Sequence, residues 1–364
     1  MTYSEQLSPQ MQQTLEKANY HTPTPIQEQT LTALLDGKDL IGIAKTGTGK
    51  TAAFAIPIIE HITEDAKQLQ ALVLCPTREL AMQTTSVFKM LSIHKKLRTV
   101  CIYGGQSVKT QITALHQGAQ IVVGTPGRVK DMLNRKELKF SDLRTVVLDE
   151  ADEMFDYGFL PDIRYILSRI TAKHQTLLFS ATLNDNVSGI AKRFMSPNPE
   201  RIEIGEQKDP VETIRQICIK TDEHLKVAAV NYVLKEMQPR LTLVFCNTRS
   251  RVKTVTKYLQ EARIKAEGLH GDLTQAQRDH IMRDFRQGKI PVLIATDVAA
   301  RGIDVDHIDL VINFDVPDKP EYYIHRIGRT GRAGNCGMAC TLLSPQDANR
   351  LADIEKRYNI HMER

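Results

Sequence analysis

Leu40-Ile41-Gly42-Ile43 runs directly into Ala44-Lys45-Thr46-Gly47-Thr48-Gly49-Lys50-Thr51, and a helix-like segment, 51–60, follows. An apolar run, a glycine-bearing loop and then a helix constrain the fold more than anything else in the chain, because that local architecture turns Gly-Lys-Thr into a phosphate cradle. Gly47 and Gly49 lack Cβ, so backbone N–H groups can close on phosphate oxygens. The helix N-terminus adds its partial positive charge at the same spot. Lys50 would reach the β- and γ-phosphates, and the Thr51 hydroxyl would ligate Mg²⁺. Ala44 stands where the strict pattern has Gly, and a plain glycine-rich turn between strand and helix is the competing reading.

Further apolar runs alternate with helical stretches. In the first half they cover 41–43, 71–75, 99–103, 121–123, 145–148 and 176–179; in the second half, 242–245, 292–294, 310–314 and 338–342. Solidly apolar strands between amphipathic helices argue for parallel sheets covered on both faces. The polar, turn-forming stretch 205–210 reads as a linker, which gives an α/β chain of two domains, 1–204 and 211–364. A length of 364 residues allows each its own core. Only the first half carries a phosphate loop, so one nucleotide per chain is expected. The net charge of +5 permits a nucleic-acid partner without demonstrating one. Cys75, Cys101, Cys218, Cys246, Cys336 and Cys340 show no Cys-x-x-Cys pair and read as reduced packing residues. The sequence shows no signal peptide and no membrane-length apolar run, so a cytoplasmic location is expected.

Ligands of open parallel sheets bind beyond the carboxyl ends of the strands. The residues at those positions are small, polar or charged: Pro76-Thr77-Arg78, Gly104-Gly105, Thr125-Pro126-Gly127-Arg128, Asp149-Glu150-Ala151-Asp152 and Ser180-Ala181-Thr182, then Asn247-Thr248, Thr296-Asp297 and Arg301-Gly302-Ile303-Asp304. Asp149 is placed to hold Mg²⁺ and Glu150 to orient or deprotonate a water; a solvated acidic turn is the alternative. In His325-Arg326-Ile327-Gly328-Arg329-Thr330-Gly331-Arg332, Arg329 and Arg332 share a face if the segment is helical. They read as arginine fingers, worth about 10³–10⁵ in rate in other NTPases, or as a general phosphate patch. Pro76, Thr77, Arg78, Gly105, Thr125, Arg128, Thr248, Gly271, Thr296 and Arg301 suit a sugar-phosphate backbone contacted without base reading. Helix capping is the competing role for each of the threonines.

In these motifs, and over nearly its whole length, the chain resembles the DEAD-box family of ATP-dependent RNA helicases; Asp149-Glu150-Ala151-Asp152 spells the family's name. Tyr20-His21-Thr22-Pro23-Thr24-Pro25-Ile26-Gln27 is similar to its adenine-reading element. The resemblance implies two RecA-like lobes, ATP between them and single-stranded RNA or a short duplex across both. It implies that Gln27 reads adenine with Tyr20 packed nearby. Ala44, Lys45, Thr46, Gly47, Thr48, Gly49, Lys50 and Thr51 would hold the phosphates and Asp304 the ribose. Arg329 and Arg332 would meet the γ-phosphate, while Ser180, Thr182 and His325 couple the lobes. It further implies RNA-stimulated ATP hydrolysis with local duplex separation by a monomer, in which closure on ATP bends one strand. An ATP-gated RNA clamp with incidental turnover is the alternative. Lys45 stands where the family usually has Gln and is expected to point away from the phosphates. Asn19 replaces a common Gly, and Tyr3 is the nearest match to an isolated upstream Phe. A chain without a basic tail after Arg364 is expected to discriminate weakly among RNAs and to bind in a salt-sensitive way.

Overall fold

The computed structural model describes residues 3–44, 47–64, 66–204, 214–300, 308–331 and 337–364. By internal contacts the chain divides into two units, Met1–Gly205 and Glu206–Arg364. In the first, a 3-10 turn (Ser4–Gln6) precedes α1 (Pro9–Lys17), α2 (Pro25–Leu35), β1 (Leu40–Ile43), α3 (Lys50–His61), β2 (Ala71–Leu74) and α4 (Arg78–Leu91). Next come β3 (Thr99–Ile102), α5 (Val108–His116), β4 (Ile121–Gly124), α6 (Pro126–Asn134), β5 (Thr145–Leu148) and α7 (Ala151–Asp156). The unit ends with α8 (Leu160–Ser168), β6 (Gln175–Ser180), α9 (Asp185–Phe194) and β7 (Glu200–Glu203). Its strands form one sheet in the order β3-β4-β2-β5-β6-β1-β7, every neighbouring pair parallel.

The second unit begins with β8 (Ile214–Lys220), α10 (Lys226–Met237), β9 (Thr242–Phe245), α11 (Arg249–Glu261), β10 (Ala266–Leu269) and α12 (Gln275–Arg286). It continues with β11 (Val292–Ala295), α13 (Asp297–Ala300), β12 (Leu310–Asn313), α14 (Pro320–Ile327), β13 (Gly337–Leu343) and α15 (Ala348–Tyr358). The sheet order is β10-β11-β9-β12-β13-β8, again parallel throughout. The backbone of Glu363 runs beside the outer edge of β8, taking the Cys218 N–H at 2.7 Å and giving its own N–H to Gln216 O at 3.0 Å.

Two-sided burial follows from the apolar runs. In the first unit Val73, Val147 and Phe179 pack on one face of the sheet, Leu72, Val146 and Leu178 on the other. Gly42 in β1 has a packing reason: a Cβ there would meet the Phe179 ring at 2.7 Å. Both parallel sheets expected from the alternation are present. Three strands escaped it. Glu200-Arg201-Ile202-Glu203 is an exposed edge strand, β8 alternates instead of running apolar, and β10 carries Glu267 and Gly268. The expected linker 205–210 lies outside the described residues.

Candidate functional site

The strand orders divide each rim into two halves. In the first unit β3, β4 and β2 stand side by side, and the loops and first helical turns after them hold Gly105, Thr125, Arg128, Pro76, Thr77 and Arg78. Beside them stand β5, β6 and β1, followed by Asp149 and Glu150, by Ser180 and Thr182, and by the phosphate loop. The second unit repeats the split: Gly271, Thr296 and Thr248 follow the adjacent strands β10, β11 and β9, while His325 and Arg329 belong to the connection between β12 and β13.

At the end of β1, the Ala44 N–H donates to Ser180 O at 3.0 Å, which ties the loop to β6. Gly47 (φ +81°) and Gly49 (φ +89°) take left-handed backbone, and α3 starts at Lys50. The buried Lys50 ammonium donates to Ala44 O at 2.7 Å, across the mouth of its own loop. Gln27, buried in the first turn of α2, accepts from the Thr24 N–H at 3.0 Å and donates to Gly49 O at 3.2 Å. A Cβ on Gly49 would lie 2.6 Å from Gln27 Nε2. Beside Gln27 opens a cavity of about 480 Å³, lined among others by Tyr3, Leu7, Leu15, Tyr20 and Ile56. Tyr3 thus stands on the same wall as Tyr20, and burial pushes its hydroxyl up to about 12. Asn19 has φ +60°, which explains why Gly is common there and why Asn is accepted.

Asp149 is buried at the end of β5. Burial first, then the charge of Glu150, raises its carboxyl to about 7, with the Lys50 ammonium pulling the other way. Glu150 sits in left-handed backbone (φ +52°, ψ +54°) as the residue before α7. Asp152 reaches the loop after β6: Thr182 donates to Asp152 Oδ2 from both N and Oγ1 at 2.9 Å, and Ser180 Oγ donates to Thr182 O at 2.8 Å. These contacts join the acidic loop to Ser180 and Thr182 within the first unit.

A magnesium ion fits these residues. Mg²⁺ takes oxygen ligands, keeps several waters and needs only one or two protein groups beside substrate phosphates. A carboxylate held at a raised pKa next to a second acid is a site that a cation would relieve, and the Thr51 hydroxyl in the first turn of α3 supplies the other oxygen. No group of three or more His, Cys, Asp or Glu able to cage a metal occurs among the described residues.

On the other half of this rim, Arg128 donates to Gln106 O at 3.3 Å and to Gln111 Oε1 at 3.0 Å. Arg78 pairs with Glu79 at 2.8 Å and lies over the Tyr103 ring at 5.9 Å. Gly105 has φ +84°. Capping proves real for three of the threonines: Thr77 accepts from Leu80 N–H, Thr248 from Arg251 N–H and Thr296 from Ala299 N–H. Thr77 and Thr296 keep the hydroxyl hydrogen for another partner, while Thr248 Oγ1 also bonds Ser250 Oγ at 3.1 Å.

α14 ends at Ile327 with Gly328 as its cap, so the helix that would have put Arg329 and Arg332 on one face stops short of Arg329. Arg329 follows in the turn beyond, and Gly331 needs its left-handed φ of +68°. Lys45, Thr46, Arg301, Asp304 and Arg332 lie outside the described residues. Sequence reasoning missed Arg326, only 1% exposed. Its guanidinium donates to Asp297 Oδ1 (2.6 Å) and Oδ2 (2.7 Å), to Asn247 Oδ1 (2.7 Å) and to Asp315 O (2.6 Å), with the Phe245 ring 5.2 Å away. It fastens the loops after β9, β11 and β12 to α14. Its only signal in the sequence was a third arginine in a motif already dense with them.

Residues 24–190 match the family model described as DEAD/DEAH box helicase, and residues 225–334 that of the helicase conserved C-terminal domain. The DEAD-box ATP-dependent RNA helicase CshA of Bacillus licheniformis is 46% identical over 359 residues, 99% of this chain and 74% of that protein. CshA of Bacillus subtilis is 44% identical over 358 residues, 98% of this chain and 72% of the relative. Among solved structures, S. cerevisiae Dbp5 bound to RNA and ADP BeF3 matches with a TM-score of 0.89 at 32% identity, covering all of this chain and 95% of that one. A DEAD box protein from Methanococcus jannaschii matches at 38% identity with a TM-score of 0.55, covering 98% and 96% of the two chains.

Proposed function

The chain belongs to the DEAD/DEAH box helicase family and is an ATP-dependent RNA helicase, and from that premise we propose how its residues divide the work. The observation that carries the assignment is the repeated split of the two rims, with residues suited to a sugar-phosphate backbone after β3, β4 and β2 and again after β10, β11 and β9. RNA lies along those halves, held by Arg78, Gly105, Thr125 and Arg128 and by Thr248, Gly271 and Thr296. ATP is cleaved by the other halves.

The cavity beside Gln27 takes the adenine ring against Tyr3 and Tyr20, and the Gln27 amide turns from Gly49 O to the base edge. Lys50 exchanges the Ala44 carbonyl for phosphate oxygens, while Gly47, Thr48 and Gly49 present backbone N–H groups. Thr51 and Asp149 hold magnesium, which neutralises phosphate charge when bound. Glu150, in left-handed backbone just before α7, takes a proton from the attacking water. Arg329 supplies positive charge from the second unit, with Arg332, Arg301 and Asp304 assigned on the resemblance alone. Domains 1–204 and 211–364, joined by 205–210, close on ATP and RNA. Asp152, through Ser180 and Thr182, reports phosphate occupancy to that closure. We place the protein in the cytoplasm as a monomer; among the described residues no helix is long and apolar enough to cross a membrane.

Multiple-turnover ATPase measured with RNA, with DNA and without nucleic acid, and with GTP beside ATP, tests the reading. Hydrolysis should be selective for ATP and rise with RNA alone. A single turnover followed by arrest on RNA would instead identify a clamp.

A further inference from the structure

Helix α11 starts at the RNA half of the second rim, with Thr248 as its cap, and runs away from it. Arg249, Lys253 and Lys257 recur every four residues and so line one face. Their side chains are 64%, 55% and 75% exposed. Tyr258, the residue after the last of them, is 51% exposed. The stripe begins beside Gly271: a Cβ there would sit 3.7 Å from Arg249 Cδ.

One carboxylate bridges the first two cations. Arg249 Nη1 donates to Asp272 Oδ1 and Lys253 Nζ to Asp272 Oδ2, both at 2.8 Å. An anion with two oxygens, each taking one cation, stands where a phosphate would, and both side chains carry N–H groups beyond the one so used. Lys257 pairs with Glu261 at 3.8 Å, a contact of the weak, screened kind. Burial, and after it the Lys253 ammonium, holds His270 below the usual imidazole value, with Asp272 opposing and Arg249 and Arg278 adding smaller pushes.

We propose that this face of α11, with Arg249, Lys253 and Lys257 in line and Tyr258 flanking it about 100° round the helix from Lys257, is an RNA track that carries the strand about 12 Å beyond the rim. Exposed cations in register take backbone phosphates, and the tyrosine ring offers a stacking surface for a base that has left the rim. A polyanion without bases would use the lysines and ignore the ring. The inference rests on the RNA-helicase reading and extends its footprint to single-stranded RNA flanking the bound segment.

The test uses the full chain, a short oligouridine that covers only the rim and a longer one that overhangs it. The double variant K253Q/K257Q should bind the longer RNA more weakly, with the slope of log affinity against log salt smaller by about 1.4, the share of two single-strand phosphates. Tyr258→Ala should weaken the longer RNA by at least about fivefold and leave the slope unchanged. Both variants should keep parental affinity for the short RNA and parental ATPase with it, which also shows that they fold. Parental affinity and slope on the longer RNA in both variants overturn the track, as does a loss that is equal for the two lengths. Failure of the short RNA to stimulate the parent ATPase is a different outcome, since it removes the helicase reading itself.

Discussion

Arg326 and Asp297 form a fork inside the second unit: Nε and Nη2 each donate to one carboxylate oxygen, at 2.6 and 2.7 Å. The same guanidinium holds Asn247 and the Asp315 carbonyl, so one side chain fixes three loops of the rim. Arg326→Ala should cost about 3–5 kcal/mol, because Asp297 then keeps a charge without its partner. Arg326→Lys restores the charge but not the planar fork and should recover only part of that loss. Chemical unfolding followed at the second unit checks both values, and equal stability of Lys and Arg at this position would refute the fork's importance.

Gly49 combines a left-handed φ of +89° with a Cβ position 2.6 Å from Gln27 Nε2. Gly49→Ala should weaken ATP binding by at least tenfold and lower the melting temperature, since the strain alone is about 1–3 kcal/mol. Calorimetric titration with ATP, paired with a melting curve, separates the binding loss from unfolding.

Asp149 has a folded carboxyl pKa of about 7, far above its value in an unfolded chain. The folded protein therefore binds more protons than the unfolded one between about pH 4 and 7, and nucleotide-free stability falls as pH rises through that window. Asp149→Asn should then stabilise the free protein at pH 8 and give little gain near pH 4. Magnesium–ATP binding at pH 7 should release protons, because a cation beside the carboxylate lowers its pKa. Titration in two buffers of different ionisation heat detects that release, and equal heats would count against it.

Glu150→Gln keeps size and hydrogen bonding but removes the base. RNA-stimulated hydrolysis should drop by about 10²–10⁴ while the ATP dissociation constant stays within twofold. Turnover at the parental rate would sink the assignment of Glu150.

Asn19 holds a left-handed φ of +60° at the turn between α1 and the Gln27 element. Asn19→Gly should be close to neutral and Asn19→Val clearly destabilising, because a β-branched side chain tolerates that backbone poorly. Thermal melts of the two variants give the comparison.

What the chain revealed in advance follows from where its information is local. The phosphate loop and Asp149-Glu150 were readable because each follows a short run buried on both faces, and such runs announce both a strand and its rim. Glu200-Arg201-Ile202-Glu203 gave no such signal, since an edge strand needs no apolar face of its own. Arg326 was missed for another reason: its burial is bought by Asn247, Asn313, Asp315 and Asp297, whose convergence depends on the sheet order and not on spacing. The end of α14 at Ile327, which leaves Arg329 outside the helix on which a shared face depended, turns on a glycine that could equally have continued the helix. Thr77, Thr248 and Thr296 were legible both as polar rim residues and as candidate caps, and the backbone decides that all three do cap.

The two flanks of each sheet edge have a practical meaning for anyone who would redesign this machine. On the proposed division, ATP and RNA would meet different strands of the same platform, so the loops after β3, β4 and β2 could be recut for a new polymer while those after β5, β6 and β1 stay untouched. A motor whose gearing and grip occupy separate stations can be refitted one station at a time.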